Sequence, residues 1–148
     1  MRGFRRTARL ASVVIAFTVI PVSGDAQSSF REVVAEVAPH TVTLQAFGED
    51  GSEIASGSGF LIEGGRVVTN HHVVAGATWV EVVDSQGILL GTTPYLEAIS
   101  SRLDIVILPA VGGRSSGLTL SAELPAAGDR VVVIGSPEGL ESTVSEGI

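Results

Sequence analysis

Two side chains in this sequence have the types to run acid–base chemistry together. They are His72, in Val68-Thr69-Asn70-His71-His72-Val73-Val74, and Asp104, at the head of Asp104-Ile105-Val106-Ile107-Leu108. His72 follows the apolar pair Val67-Val68, which reads as the end of a strand. A histidine at a strand exit is held by a rigid element yet reaches a cleft, which is what a general base requires. Asp104 precedes four apolar residues that read as a buried central strand, apolar on both faces. A carboxylate beside such a strand is costly unless it is paired or hydrogen-bonded. Accepting an imidazole N–H would meet that demand. It would also fix the tautomer of His72 and stabilise the imidazolium formed when His72 takes a proton. Taken singly, each residue also has an ordinary reading: His72 as a polar residue on a turn, Asp104 as a turn cap.

Other candidates are weaker. His71 adjoins His72, so on an extended strand the two side chains diverge, and no H-E-x-x-H spacing occurs. Neither a metal nor a cofactor is expected. His40 receives no role. Ser58 in Gly57-Ser58-Gly59 and Ser136 in Gly135-Ser136-Pro137 have small neighbours and raise the question of a nucleophile.

The elements that must position this pair are short. Phe60-Leu61-Ile62 and Val67-Val68 read as two strands, joined by Glu63-Gly64-Gly65-Arg66. Paired glycines suit a hairpin loop that needs positive φ. Upstream, Ser29-Phe30-Arg31-Glu32 fits a capping box with Ser29 as N-cap. Phe30, Val33, Val34 and Val37 then line one face of a short helix that Pro39 ends. Thr41 to Phe47 alternates as a half-buried strand, with Val42, Leu44 and Ala46 on the apolar face. Thr78 to Val83 reads as a strand with Trp79 as a packing residue. Residues 88–98 hold one more, interrupted at Gly91 and Pro94. Many short strands without a long helix predict an antiparallel barrel.

After the polar linker at Arg114-Ser115-Ser116-Gly117, Arg130 to Ile134 reads as a buried strand and Glu141 to Ile148 as the start of another. Between them, Gly135 to Gly139 reads as a turn. Two strands leave edges unpaired and cannot build a core, so the sequence reads as cut short.

The bulk numbers narrow the function. The chain has 148 residues, a formal net charge of −7, 18 glycines and no cysteine. There is no lysine, and four of the nine arginines lie within the first nine residues. Arg2 to Arg9, the apolar run Leu10 to Val22 and Gly24-Asp25-Ala26 together read as a secretory signal cleaved near Ala26. An uncleaved anchor is the alternative, against which the run is short for a membrane span. Without residues 1–26, five arginines face fifteen acids, a net charge of −10. Such an acidic body argues against nucleic acid and against an anionic membrane surface. The expected location is periplasmic or secreted.

The ordered pieces Gly57-Ser58-Gly59-Phe60, Val68 to Val74, Asp104 to Leu108, Gly128 to Gly139 and Thr143-Val144-Ser145-Glu146-Gly147-Ile148 resemble the HtrA/Deg group of trypsin-like serine proteases. The resemblance covers nearly all of the chain after the signal. It implies an all-β fold, the trypsin-like double β-barrel, with the first barrel present and the second truncated. The segments are then a signal peptide (1–26), the first barrel with a short N-terminal helix (27–113), and a linker with the opening strands of an incomplete second barrel (114–148).

The family pattern Thr-Asn-x-His-Val maps the base to His72 and leaves His71 at the variable position. Asp104 maps to the orienting acid, and Asp129 and Gly135 to turn positions. Ser58 and Ser136 match other parts of the pattern and are rejected as nucleophile. The nucleophile serine of the family's Gly-Asn-Ser-Gly-Gly-like loop is absent from these residues. The resemblance implies a serine endopeptidase acting on polypeptides, unfolded proteins among them, with homo-oligomers common in the group. The chain by itself is expected to be inactive. A catalytically dead barrel that binds peptides or a protein partner is the alternative, and an exported chaperone-like binder a third.

Overall fold

The computed structural model describes residues 26–135 and 143–148, so the expected signal segment up to residue 25 and the turn from Ser136 onward lie outside the described residues. Helix α1 (Ala26–Val37) leads through a 3-10 turn (Ala38–His40) into strand β1 (Thr41–Phe47). Then follow β2 (Glu53–Ile62), β3 (Arg66–Thr69), the helical turn α2 (His71–Val74), β4 (Trp79–Asp84), β5 (Leu89–Thr93), β6 (Ala98–Ser100) and β7 (Ile105–Leu108). Strands β8 (Val131–Gly135) and β9 (Thr143–Gly147) form a separate antiparallel pair.

The first seven strands make one antiparallel sheet in the order β5-β4-β1-β2-β3-β7-β6. Its two edges, β5 and β6, are joined by only Pro94 to Glu97. The five steps from Thr93 to Ala98 span at most about 18 Å. A flat seven-stranded sheet would hold its edges roughly 29 Å apart, six strand spacings of about 4.8 Å. The sheet must therefore curl until its edges approach, which gives the barrel-like wall.

The concave side of that wall is the main core. Val42, Leu44, Leu61, Val67, Val82, Val106 and Leu108 are each no more than 1% exposed there. Fully burying a Leu or Val side chain stabilises by about 1.5–3 kcal/mol. The alternation expected in β1 is present, with Val42, Leu44 and Ala46 buried. Trp79 packs as expected: its ring stacks on Phe47 with centroids 5.3 Å apart and planes 7° from parallel. The Gly64-Gly65 hairpin carries φ of 82° and 74°, so both glycines adopt the left-handed region their pairing predicts.

Several local expectations are corrected. Ser29 does not begin the helix. Its backbone lies inside α1, which starts at Ala26 with no Gly or Pro between there and Val37 to break it. Strand β2 starts at Glu53, well before Phe60, since its pairing with β1 runs from Phe47 back to Thr41. Residues 88–98 give two strands on opposite edges, not one, because the Pro94–Glu97 link leaves the β4 edge for the β7 edge. The run Ile105–Leu108 is buried on one face only: Val106 and Leu108 point inward, whereas Ile105 is 41% exposed. A curled sheet has one inner face, so an apolar run on it does not imply burial on both.

The second apolar cluster joins the helix to the last strands. Val37, Val132 and Ile134 are buried together, with Phe30, Val33, Val34, Leu118 and Val144 packed around them. The apolar stripe read from the sequence is therefore the inner face of α1. It supplies the layer that two strands lack alone. Leu118 reaches this cluster by crossing the end of β2, where its N–H donates to the Leu61 carbonyl at 2.8 Å.

Candidate active site

Strand register brings the two candidate residues together. In the β3–β7 pairing, Val67 faces Leu108, Val68 faces Ile107 and Thr69 faces Val106. Carried two residues further, the same register sets His71 opposite Asp104, and the His71 N–H donates to the Asp104 carbonyl at 3.2 Å. The end of β3 is anchored by buried Thr69, whose hydroxyl donates to the Ser58 carbonyl at 2.8 Å.

The chain then turns into α2 instead of continuing as a strand. His71 and His72 thus lie on a helical turn, not on the extended backbone expected from sequence. Gly57 permits this. A Cβ at Gly57 would stand 2.5 Å from Cγ2 of Val73, so the bare glycine of β2 lets α2 pack directly on the sheet. Val73 and Val74 are buried in the main core and fix the turn that carries His72.

Within this frame, His72 Nδ1 lies 2.5 Å from Asp104 Oδ2. A carboxylate oxygen accepts, so the ring carries its proton on Nδ1 and leaves the Nε2 lone pair for chemistry. The His72 backbone N–H donates to Asp104 Oδ1 at 2.9 Å. The Asn70 side-chain amide donates to Asp104 Oδ2 at 3.2 Å and to the Asp104 carbonyl at 3.0 Å. The backbone N–H of His72 does most to hold the Asp104 carboxyl below the usual carboxylate range. Partial burial opposes it, and the His72 ring and the Asn70 amide add to it. The side chains of His72 and Asp104 are 45% and 40% exposed, so the pair sits at the lip of the sheet, open to solvent. Among the described residues, Asp104 is the only non-glycine with positive φ, at 55°.

The remaining candidates lie elsewhere. Ser58 is 1% exposed within β2, opposite Thr43. His40 lies in the 3-10 turn with a buried Nδ1 that has no hydrogen-bond partner among the described residues. Asp129 closes a turn by accepting the Ala126 N–H at 2.7 Å. Ser136 is outside the described residues. Among the described residues, no cluster of His, Asp and Glu has the makings of a metal site. Sequence reading gave Asn70 and Gly57 no physical role. The signal available for Asn70 was its fixed place in the Thr-Asn-x-His-Val pattern; its position as an N-cap residue type shows only once the helical turn is seen.

The fold and this site have counterparts among known proteins. A trypsin-like peptidase domain matches residues 57–148. The chain belongs to the trypsin-like peptidases. Human serine protease HTRA4 is 37% identical over 131 residues, covering 78% of this chain and 26% of its own length. The solved Rv3671c protease of M. tuberculosis, in its active form, superposes with a TM-score of 0.68 at 29% identity, over 99% of this chain and 59% of that one. The serine endoprotease of Yersinia pestis gives a TM-score of 0.70 at 25% identity, over 84% of this chain and 45% of that one. The HtrA resemblance carried by the motifs therefore holds, and this trypsin-like peptidase chain spans only part of each relative's length.

Proposed function

We propose that this chain carries the base and the orienting acid of an exported serine endopeptidase. His72 is the general base and Asp104 the acid that fixes its ring. The nucleophile is a serine outside these 148 residues. In the reaction, the serine Oγ attacks the scissile carbonyl while its proton passes to His72 Nε2. His72 then returns the proton to the leaving amine, and water releases the acyl group by the same route. Asp104 stays ionised throughout and stabilises the imidazolium.

The observation that supports this reading above all others is the 2.5 Å contact between His72 Nδ1 and Asp104 Oδ2. It leaves Nε2 as the acceptor, and Nε2 has no hydrogen bond among the described residues. The substrates are polypeptides, and export follows from the N-terminal sequence. No helix among the described residues is long and apolar enough to cross a membrane. The 148-residue chain alone is inactive in this reading, since removing one triad member costs orders of magnitude in rate.

The test is hydrolysis of casein by the full-length protein and by its His72→Ala variant. The variant should lose about 10⁴-fold or more in kcat. Equal activity of the two would remove His72 from the reaction.

A further inference from the structure

The N-terminus of α2 is capped in an unusual way. Asn70 holds the N-cap position, with extended φ and ψ of −79° and 142°, yet its side chain makes no capping hydrogen bond. An Asn there ordinarily turns its side-chain oxygen onto the N–H two or three residues on. Here another residue does that work. Asp104 accepts both leading N–H groups, that of His71 on its carbonyl at 3.2 Å and that of His72 on Oδ1 at 2.9 Å. The Val73 N–H goes to the Asn70 carbonyl at 3.2 Å.

The Asn70 side chain is thereby freed, and it is turned the other way. Its amide donates to the carbonyl and to the carboxylate of Asp104 at once. The cost is visible at its other end, where Oδ1 is buried and has no hydrogen-bond partner among the described residues. Leaving a buried acceptor unpaired is unfavourable, and such exceptions call for a reason. The reason is on the facing strand. Asp104 adopts a left-handed backbone, φ 55°, that a non-glycine residue keeps only where its surroundings hold it. One amide that grips Asp104 at both its main chain and its side chain locks that conformation and aims Oδ2 at the ring.

We infer that Asn70 is a positioning residue, which gives up its local capping role to clamp Asp104 and so sets the ring tautomer of His72. Its catalytic consequence rests on the protease reading above. Its structural consequence does not, and the two are measured separately.

The first measurement is ring-nitrogen NMR of His72 in the full-length protein, for wild type, Asn70→Ser and Asn70→Asp. Serine and aspartate are both good N-caps. Serine lacks the reach and aspartate lacks the donor. A residue needed only as a cap would tolerate either. The clamp predicts that in both variants the Nδ1–H tautomer loses at least about half of its wild-type share, while the thermal midpoint stays near that of wild type. The second measurement is peptidase activity of the full-length protein. There, Asn70→Ser should lower kcat roughly 10- to 100-fold with KM little changed, as a misaimed catalytic group does. A wild-type tautomer share in both variants would overturn the clamp, and so would unchanged kcat in an active enzyme. If His72→Ala proved fully active, the protease reading would fall. The NMR result would still decide the role of Asn70, because it needs no hydrolysis.

Discussion

At the scale of single residues, the proposed chemistry rests on how many donors meet one carboxylate. Asp104 takes the His72 ring, the His72 N–H and the Asn70 amide. Asp104→Asn keeps the shape but replaces one acceptor oxygen with an N–H₂ group. The amide then favours the wrong ring tautomer, so kcat of the full-length enzyme should fall by about 10³- to 10⁴-fold. Retention of most of the activity would show that the pair is structural. The carboxyl also leaves a mark on acid stability. Its folded value lies below the ordinary one because the His72 N–H, chiefly, favours the charged form. A carboxyl depressed by folding contributes fully above its unfolded value, near pH 4, and loses that contribution as pH falls through the folded value. Thermal midpoints of wild type and Asp104→Asn should therefore differ at pH 6 and converge below about pH 4. A gap that stays constant with pH would rule out this linkage. At this scale the sequence was informative, since His72 and Asp104 stand out by type and neighbours. It was weak on the left-handed turn at Asp104, because Asp enters that region more readily than most residues but nothing in Leu103-Asp104-Ile105 requires it.

At the scale of elements, the site depends on a close approach between β2 and α2. Gly57→Ala would set a methyl 2.5 Å from Val73 Cγ2. Overpacking of this kind costs about 1–3 kcal/mol. Thermal or urea unfolding should show that loss, and Val73→Ala in the same chain should recover part of it by opening room. An unchanged midpoint for Gly57→Ala would mean that α2 shifts freely and does not fix His72. The corrected strands share one cause with this contact. Periodicity in a short stretch reports apolar faces, not the partner that will cover them. Ile105 to Leu108 is apolar at every position, yet the curl of the sheet gives β7 a single inner side. Residues 71 and 72 follow a strand-like run, yet Asp104 caps their N–H groups and stabilises a helical turn. The helical turn comes from Asp104, 32 residues from His72, and the single inner side from closure of the whole sheet, and a local pattern contains neither.

At the scale of the whole molecule, two apolar clusters hold the described residues. The larger fills the curled sheet. The smaller seats α1 on β8 and β9 through Val37, Val132 and Ile134. Ile134 is 3% exposed, so Ile134→Ala should cost about 2–5 kcal/mol. If the smaller cluster opens on its own, amide exchange should speed up in α1, β8 and β9 while Leu44 and Leu61 stay protected. Equal loss of protection in β1 and β2 would show that the two clusters unfold as one unit.

The sequence by itself determined the residue types of the site, the hairpin glycines, the inward face of β1 and the apolar face of the helix, because each is written in local spacing. The tertiary structure alone decided what those parts meet. The β3–β7 register sets Asp104 against His71 and His72, the bare backbone of Gly57 seats the turn, and α1 closes the smaller cluster. Such pairings depend on energies shared between distant segments, and no single stretch of chain carries them.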